Sequence, residues 1–220
     1  MSLTPKLTRL ASLLVILYFG ATAQHLSAKT RCSPTPQGSL CISEVDFTKF
    51  AQTAFKNQEK PQWCWAASVS MLFSYYGHPV NQKRIVETLY GAPVNLGSGP
   101  AWNVAALVNR TWTDDKDQSF VSQLTSAYDA DAGVNAVNNA WLINELDEDR
   151  PFIIGTTHHA VVATAIQYFP TPTGPNVMAI GVFDPWPGIG ARGLTRLEMT
   201  PMHLGGGLRF VATVKVSDGE

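Results

Sequence analysis

Charge is scarce in this chain, and so is any bias of sign. Only 15% of the 220 residues are charged, with 16 Lys+Arg against 17 Asp+Glu and a formal net charge of −1. Disordered segments carry much charge and few large apolar residues, whereas 45% of this chain is hydrophobic and 10% aromatic. A folded core is therefore expected. With no broad basic field to grip a phosphate backbone, nucleic acid is a poor candidate partner. Internal repeats and low-complexity tracts are missing as well, and the length fits one compact domain, of one or two lobes.

Long apolar runs are nearly missing too. The one near the start, Leu10–Phe19, is about half the ~20 residues that a spanning helix needs. It follows Lys6 and Arg9 and precedes Gly20-Ala-Thr-Ala23. A basic start, a short apolar stretch and an Ala-x-Ala end are the parts of a secretory signal peptide, with cleavage expected after Ala23. Lys6 and Arg9 leave with residues 1–23, which moves the net charge from −1 to −3. The mature chain is expected to be exported, to the periplasm or the medium, and to be soluble. No membrane contact is expected once the leader is gone.

Cysteine is rare, with three in all: Cys32, Cys41 and Cys64. Disulfides persist outside the reducing cytosol, and a Cys32–Cys41 bridge would staple the short loop between them. Cys64 is then left over, and an unpaired thiol in an exported protein is either a small buried hydrophobe or a nucleophile.

Residues 24–55 read as a lead-in to a main domain over 56–220. From Cys64 to Tyr76 the pattern is helical, with Trp65, Val69, Leu72, Phe73 and Tyr76 on one face and Gly77 as the cap. Asn81 caps a second helix that ends at Gly91. Further helices are expected over 101–108 and 137–147. After Pro151 the segments 152–154, 160–169, 177–183 and 208–216 are rich in β-branched and aromatic residues and read as strands, with a hairpin loop at 170–176. Helices first and antiparallel strands second predict an α+β protein, with two facing lobes.

Cys64 stands at the start of the first helix, where unpaired N–H groups and the helix dipole favour a thiolate. Its base should come from elsewhere in the chain. His158 and His159 precede one strand, and Asp184 ends the next. Antiparallel pairing across the 170–176 loop brings His159 and Asp184 to the same end of a hairpin. Carboxylate, imidazole and thiolate together form a catalytic triad. An oxyanion hole needs the backbone N–H of Cys64 and a side-chain amide, for which Gln58 and Gln62 are both available. Trp63, Trp65 and Trp186 are candidates to line the cleft, core packing being the default for each.

The segment Gln58-Glu-Lys-Pro-Gln-Trp-Cys64-Trp-Ala-Ala-Ser resembles the active-site segment of papain-like cysteine peptidases. It is similar to their bacterial branch, including peptidase domains of bacteriocin exporters and papain-like effector proteases. Asp149-Arg-Pro, His159-Ala-Val-Val and Phe183-Asp184-Pro follow in the matching order. The resemblance implies a two-lobed papain-like fold, with the nucleophile at a helix N-terminus in a helical lobe and an antiparallel β lobe after it. It assigns Cys64 as nucleophile, His159 as general base and acid, Asp184 as orienter and Gln58, with Gln62 as alternative, as oxyanion donor. It implies a monomer acting on peptide or protein substrates, with no metal and no organic cofactor. Acyl transfer to an amine, or binding by a relict site, remain the competing readings of the same residues.

Overall fold

The computed structural model describes residues 30–219. The expected leader, residues 1–23, lies outside the described residues. The chain runs β1 (Arg31–Thr35), β2 (Gly38–Glu44), α1 (Phe47–Lys49, continued by a π-helical turn Phe50–Ala54), α2 (Cys64–Tyr75), α3 (Gln82–Tyr90), α4 (Ala101–Leu107), β3 (Arg110–Thr113), β4 (Ser119–Asp129) and β5 (Val134–Asn135). It continues α5 (Asn139–Asp147), β6 (Phe152–Thr156), β7 (Ala160–Phe169), β8 (Asn176–Asp184), β9 (Gly190–Gly193), α6 (Arg196–Met199) and β10 (Leu208–Asp218). The fold is α+β, with a large antiparallel sheet and helices packed on it.

Strand β7 organises the sheet. One of its edges is shared: Ala160–Ala163 pair with β6, and Ala165–Tyr168 pair with β2. Its other edge carries β8, which pairs in turn with β9. Beyond β6 the sheet extends through β10 to β4 and β3. The strands expected after Pro151 are present at 152–156, 160–169, 176–184 and 208–218.

Helices and strands do not segregate along the chain as expected. β4, eleven residues long, pairs with β10 from within the half that reads as helical. Its sequence, Ser-Phe-Val-Ser-Gln-Leu-Thr-Ser-Ala-Tyr-Asp, buries Phe120 and Ser122 and exposes Ser119, Val121 and Gln123. Four of its eleven residues are Ser or Thr and three more are Gln, Ala or Asp, so its β-propensity signal is weak although its alternation is strand-like. The lead-in is also part of the sheet. β1 and β2 form a hairpin in which Cys32 lies opposite Cys41 and is bonded to it by a disulfide. Ser43 donates to Asp147 Oδ1 at 2.8 Å, which ties this hairpin to α5.

Helix α2 is buried around its whole circumference, with every residue from Trp65 to Tyr75 buried. Trp65, Val69, Leu72 and Phe73 pack into one apolar cluster with α3, α4, Phe120 and Val214. Met71 and Tyr75, off that face, pack into a second cluster with Phe50, Phe152 and Val161. A single amphipathic face therefore understates this helix, which is a shared core element. Gly77 (φ +91°) and Gly91 (φ +74°) end α2 and α3 in the left-handed region that glycine enters without strain. Asn81 caps α3 by accepting from Arg84 N–H.

Candidate active site

Cys64 is the first helical residue of α2. The chain reaches it through a turn in which Trp63 N–H donates to Lys60 O at 3.0 Å. Two contacts fix the segment just before that turn. Gln58 N–H donates to Pro185 O at 2.7 Å, joining the approach to Cys64 directly to the turn that follows Asp184. Buried Gln82, on α3, accepts from Glu59 N–H at 2.9 Å and donates to Asn57 O at 2.8 Å. Trp63 and Trp65 are buried, and their indole N–H groups donate to Val94 O (2.8 Å) and Leu96 O (3.1 Å). They pin the loop after α3 against the start of α2.

His159 is held at the head of β7 by a tight turn. Its carbonyl accepts from Thr156 N–H at 2.7 Å and from Thr156 Oγ1 at 3.1 Å. Its Nε2 donates to Asp184 Oδ1 at 2.6 Å, and Nδ1 makes no bond to the carboxylate. Cys64 is the ring's second polar neighbour. The well-formed bond is the one to the carboxylate. A resting cysteine site commonly keeps its other bond long until substrate is bound. Burial would push the His159 imidazole down, but the Asp184 and Cys64 side chains outweigh it and raise the ring from 6.5 to about 9. At neutral pH the ring is thus an imidazolium, with both nitrogens as donors.

Asp184 is only 4% exposed. Burial alone would raise its carboxyl, but hydrogen bonds from His159, from Trp186 N–H (2.8 Å) and from Arg192 Nε (2.8 Å) hold it below the ordinary carboxylate range. Arg192 comes from β9, diagonally across from Asp184 on the same face of the β8–β9 pair. Its guanidinium forks onto Glu198, with NH1 to Oε2 at 3.0 Å and NH2 to Oε1 at 2.7 Å. Trp186 is 49% exposed and sets the edge of its ring against His159, with centroids 6.3 Å apart.

Cys64 and His159 open on one cavity of about 280 Å³, lined also by Gln62, Trp65, Gly97–Gly99, Thr156–His158, Arg209 and Phe210. The two candidate glutamines part company here. Gln62 is on the cavity wall. Gln58 is buried, and its amide N–H groups donate to Lys60 O at 3.0 Å and Pro61 O at 2.9 Å, bracing the turn before Cys64. His158 is exposed on the cavity rim, and the bond to Asp184 is made by His159 alone of the two.

Three of these contributors escape a reading of the sequence: Gln82, Arg192 and Glu198. Asp149 has φ +57° and ties Tyr75 Oη and Asp46 N–H to the step into β6. The only local trace of Glu198 is the Thr195-Arg-Leu-Glu198 pattern of a capping box, which α6 indeed forms. Nothing in that pattern points toward Asp184.

A cysteine at a helix tip and a histidine–carboxylate pair delivered by an antiparallel hairpin point to the papain-like cysteine peptidases as a class. Comparison with family models agrees and is more specific. Residues 45–194 match the Peptidase_C39 like family, and the chain belongs to that family. No curated protein matches the chain.

Proposed function

We propose that this chain is an exported cysteine peptidase that hydrolyses peptide bonds through Cys64, His159 and Asp184. The observation that carries the reading is the His159–Asp184 bond at the mouth of a cavity that also contains Cys64. The thiolate attacks the scissile carbonyl carbon, and a carbon–sulfur bond forms while the carbonyl electrons move to oxygen. Backbone N–H of Cys64 and a glutamine amide receive that oxyanion. As it collapses the carbon–nitrogen bond breaks, and the His159 imidazolium gives its proton to the leaving amine. Neutral His159 then takes a proton from water, whose oxygen attacks the thioester and releases the acid and the thiolate.

Export belongs to the same reading. It is supported by the leader-like start and by the Cys32–Cys41 disulfide, since such bonds persist in oxidising compartments. Among the described residues, no helix is long and apolar enough to cross a membrane.

The direct test is a mixed peptide library incubated with the secreted protein and analysed by mass spectrometry. New carboxyl termini are expected with wild type and none with Cys64→Ala. Cleavage that persists in Cys64→Ala would refute the proposal, and amine adducts in place of free acids would reassign the reaction to acyl transfer.

A further inference from the structure

Asp184 does not end the chain of contacts that begins at the sulfur. Its Oδ1 accepts from His159 and from Trp186 N–H, while its Oδ2 is taken by Arg192 Nε at 2.8 Å. Both oxygens of this buried carboxylate are therefore fixed, and rotation about its carboxyl axis would break bonds on either side. Arg192 in turn gives its remaining fork to both oxygens of Glu198. Glu198 is fixed from the other side, because Thr195 N–H donates to its Oε2 at 2.7 Å and Glu198 N–H donates to Thr195 Oγ1 at 3.3 Å.

The ring faces Asp184 on one side and Cys64 on the other, with His158 and Arg209 around the same cavity, and behind Asp184 the signs alternate: imidazolium, carboxylate, guanidinium, carboxylate. A lone guanidinium against Asp184 would compete with His159 for the carboxylate's charge and would disfavour the imidazolium. Glu198 cancels that competition. It leaves Arg192 as a geometric clamp on Asp184 whose charge is already met. A guanidinium suits this task because its planar fork can serve two carboxylates at once, which an ammonium cannot do with the same geometry.

We infer that Arg192 and Glu198 act as a pair of positioning residues for the proposed triad: Arg192 holds Asp184 in the orientation that receives His159, and Glu198 neutralises Arg192 so that His159 keeps its proton. This rests on the peptidase reading of Cys64, His159 and Asp184, and reaches two residues that the triad itself does not need to name.

Glu198→Gln is the decisive variant. The single oxygen of glutamine can still accept from Thr195 N–H and Arg192 NH1, so α6 keeps its cap while the neutralising charge and the bond to Arg192 NH2 are gone. Two readouts require no known substrate. One is the titration of the His159 ring by NMR. The other is the pH profile of inactivation by a peptidyl epoxide, which needs both a thiolate and a proton donor. In wild type both should show an upper limb near pH 9. In Glu198→Gln that limb should move down by about 1 pH unit, a tenfold loss of proton affinity at the ring. The double variant Arg192→Met/Glu198→Gln removes both charges together. Its limb should return toward the wild-type position, while inactivation stays about 10–100-fold slower because Asp184 has lost its clamp.

A limb that stays in place in Glu198→Gln, with melting temperature unchanged, overturns the inference. So does a double variant as fast as wild type. Should Glu198→Gln fail to fold, Arg192→Met alone decides through its rate, and inactivation as fast as wild type overturns the inference. If wild type itself shows no epoxide labelling of Cys64 that His159→Ala abolishes, the peptidase reading has failed and the inference falls with it. That outcome is visible in wild type and His159→Ala alone, before either positioning residue is altered.

Discussion

Val162 of β7 lies opposite Phe183 of β8, and this single register sets the distance between His159 and Asp184. A slip of one residue would turn Asp184 to the other face of the sheet and away from the ring. Phe183 itself is buried and stacks on Phe50 with ring centroids 4.6 Å apart, so the hairpin end that bears Asp184 is anchored in the core.

That anchoring gives a stability prediction. Phe50 is fully buried and touches both Phe183 and Tyr75. Phe50→Ala should cost about 3–5 kcal/mol by loss of burial and creation of a cavity. Urea denaturation monitored by tryptophan fluorescence measures it, and a loss under 1 kcal/mol would mean that Phe50 is not a core residue.

His159 gives a pH prediction of definite sign. Its folded value of about 9 lies above the 6.5 of the free side chain. The stabilisation from its ion pair is therefore complete below about pH 6.5 and is lost as pH rises through about 9. The melting-temperature gap between wild type and His159→Ala should shrink across that window. A gap that widens with pH contradicts the assignment.

The two glutamines separate by experiment. Gln62 faces the cavity, while Gln58 bonds to the carbonyls of Lys60 and Pro61. If the amide that faces the cavity is the oxyanion donor, Gln62 carries that role and Gln58 is the brace before Cys64. Gln62→Ala should then lower kcat by about 10²–10³-fold. It should leave the iodoacetamide alkylation of Cys64, which forms no oxyanion, unchanged. Gln58→Ala should instead lower the melting temperature. The reverse pattern returns the donor role to Gln58, the residue the family resemblance assigns.

The disulfide should matter to stability and not to chemistry. Cys32 and Cys41 sit in a hairpin joined to β7 at residues 165–168, beyond the stretch that pairs with β6 next to His159. Cys32→Ser/Cys41→Ser should cost at most about 2–3 kcal/mol, the chain-entropy value for a loop this short. Epoxide labelling of Cys64 per folded molecule should be unaffected.

Much of this was legible along the chain because the signals are local. Asn81 and Gly91 bound α3 through their own conformational preferences. The run Ala160–Phe169 is a strand because branched and aromatic side chains fill it from end to end. β4 was hard to read, since its propensity signal is weak and it becomes a strand through pairing with β10, β3 and β5. α2 carries an apolar face that locates one neighbour, but Met71 and Tyr75 show that the opposite side is covered as well.

By itself the sequence determined the elements that short-range chemistry fixes, and the order in which Cys64, His159 and Asp184 occur. The tertiary structure alone decided which glutamine meets the cavity and that Gln58 N–H reaches Pro185 O. It also decided that Arg192 and Glu198 stand behind Asp184. Propensity acts over a few residues, whereas hydrogen bonds between remote segments depend on sheet register and packing, which exist only once the chain has closed on itself.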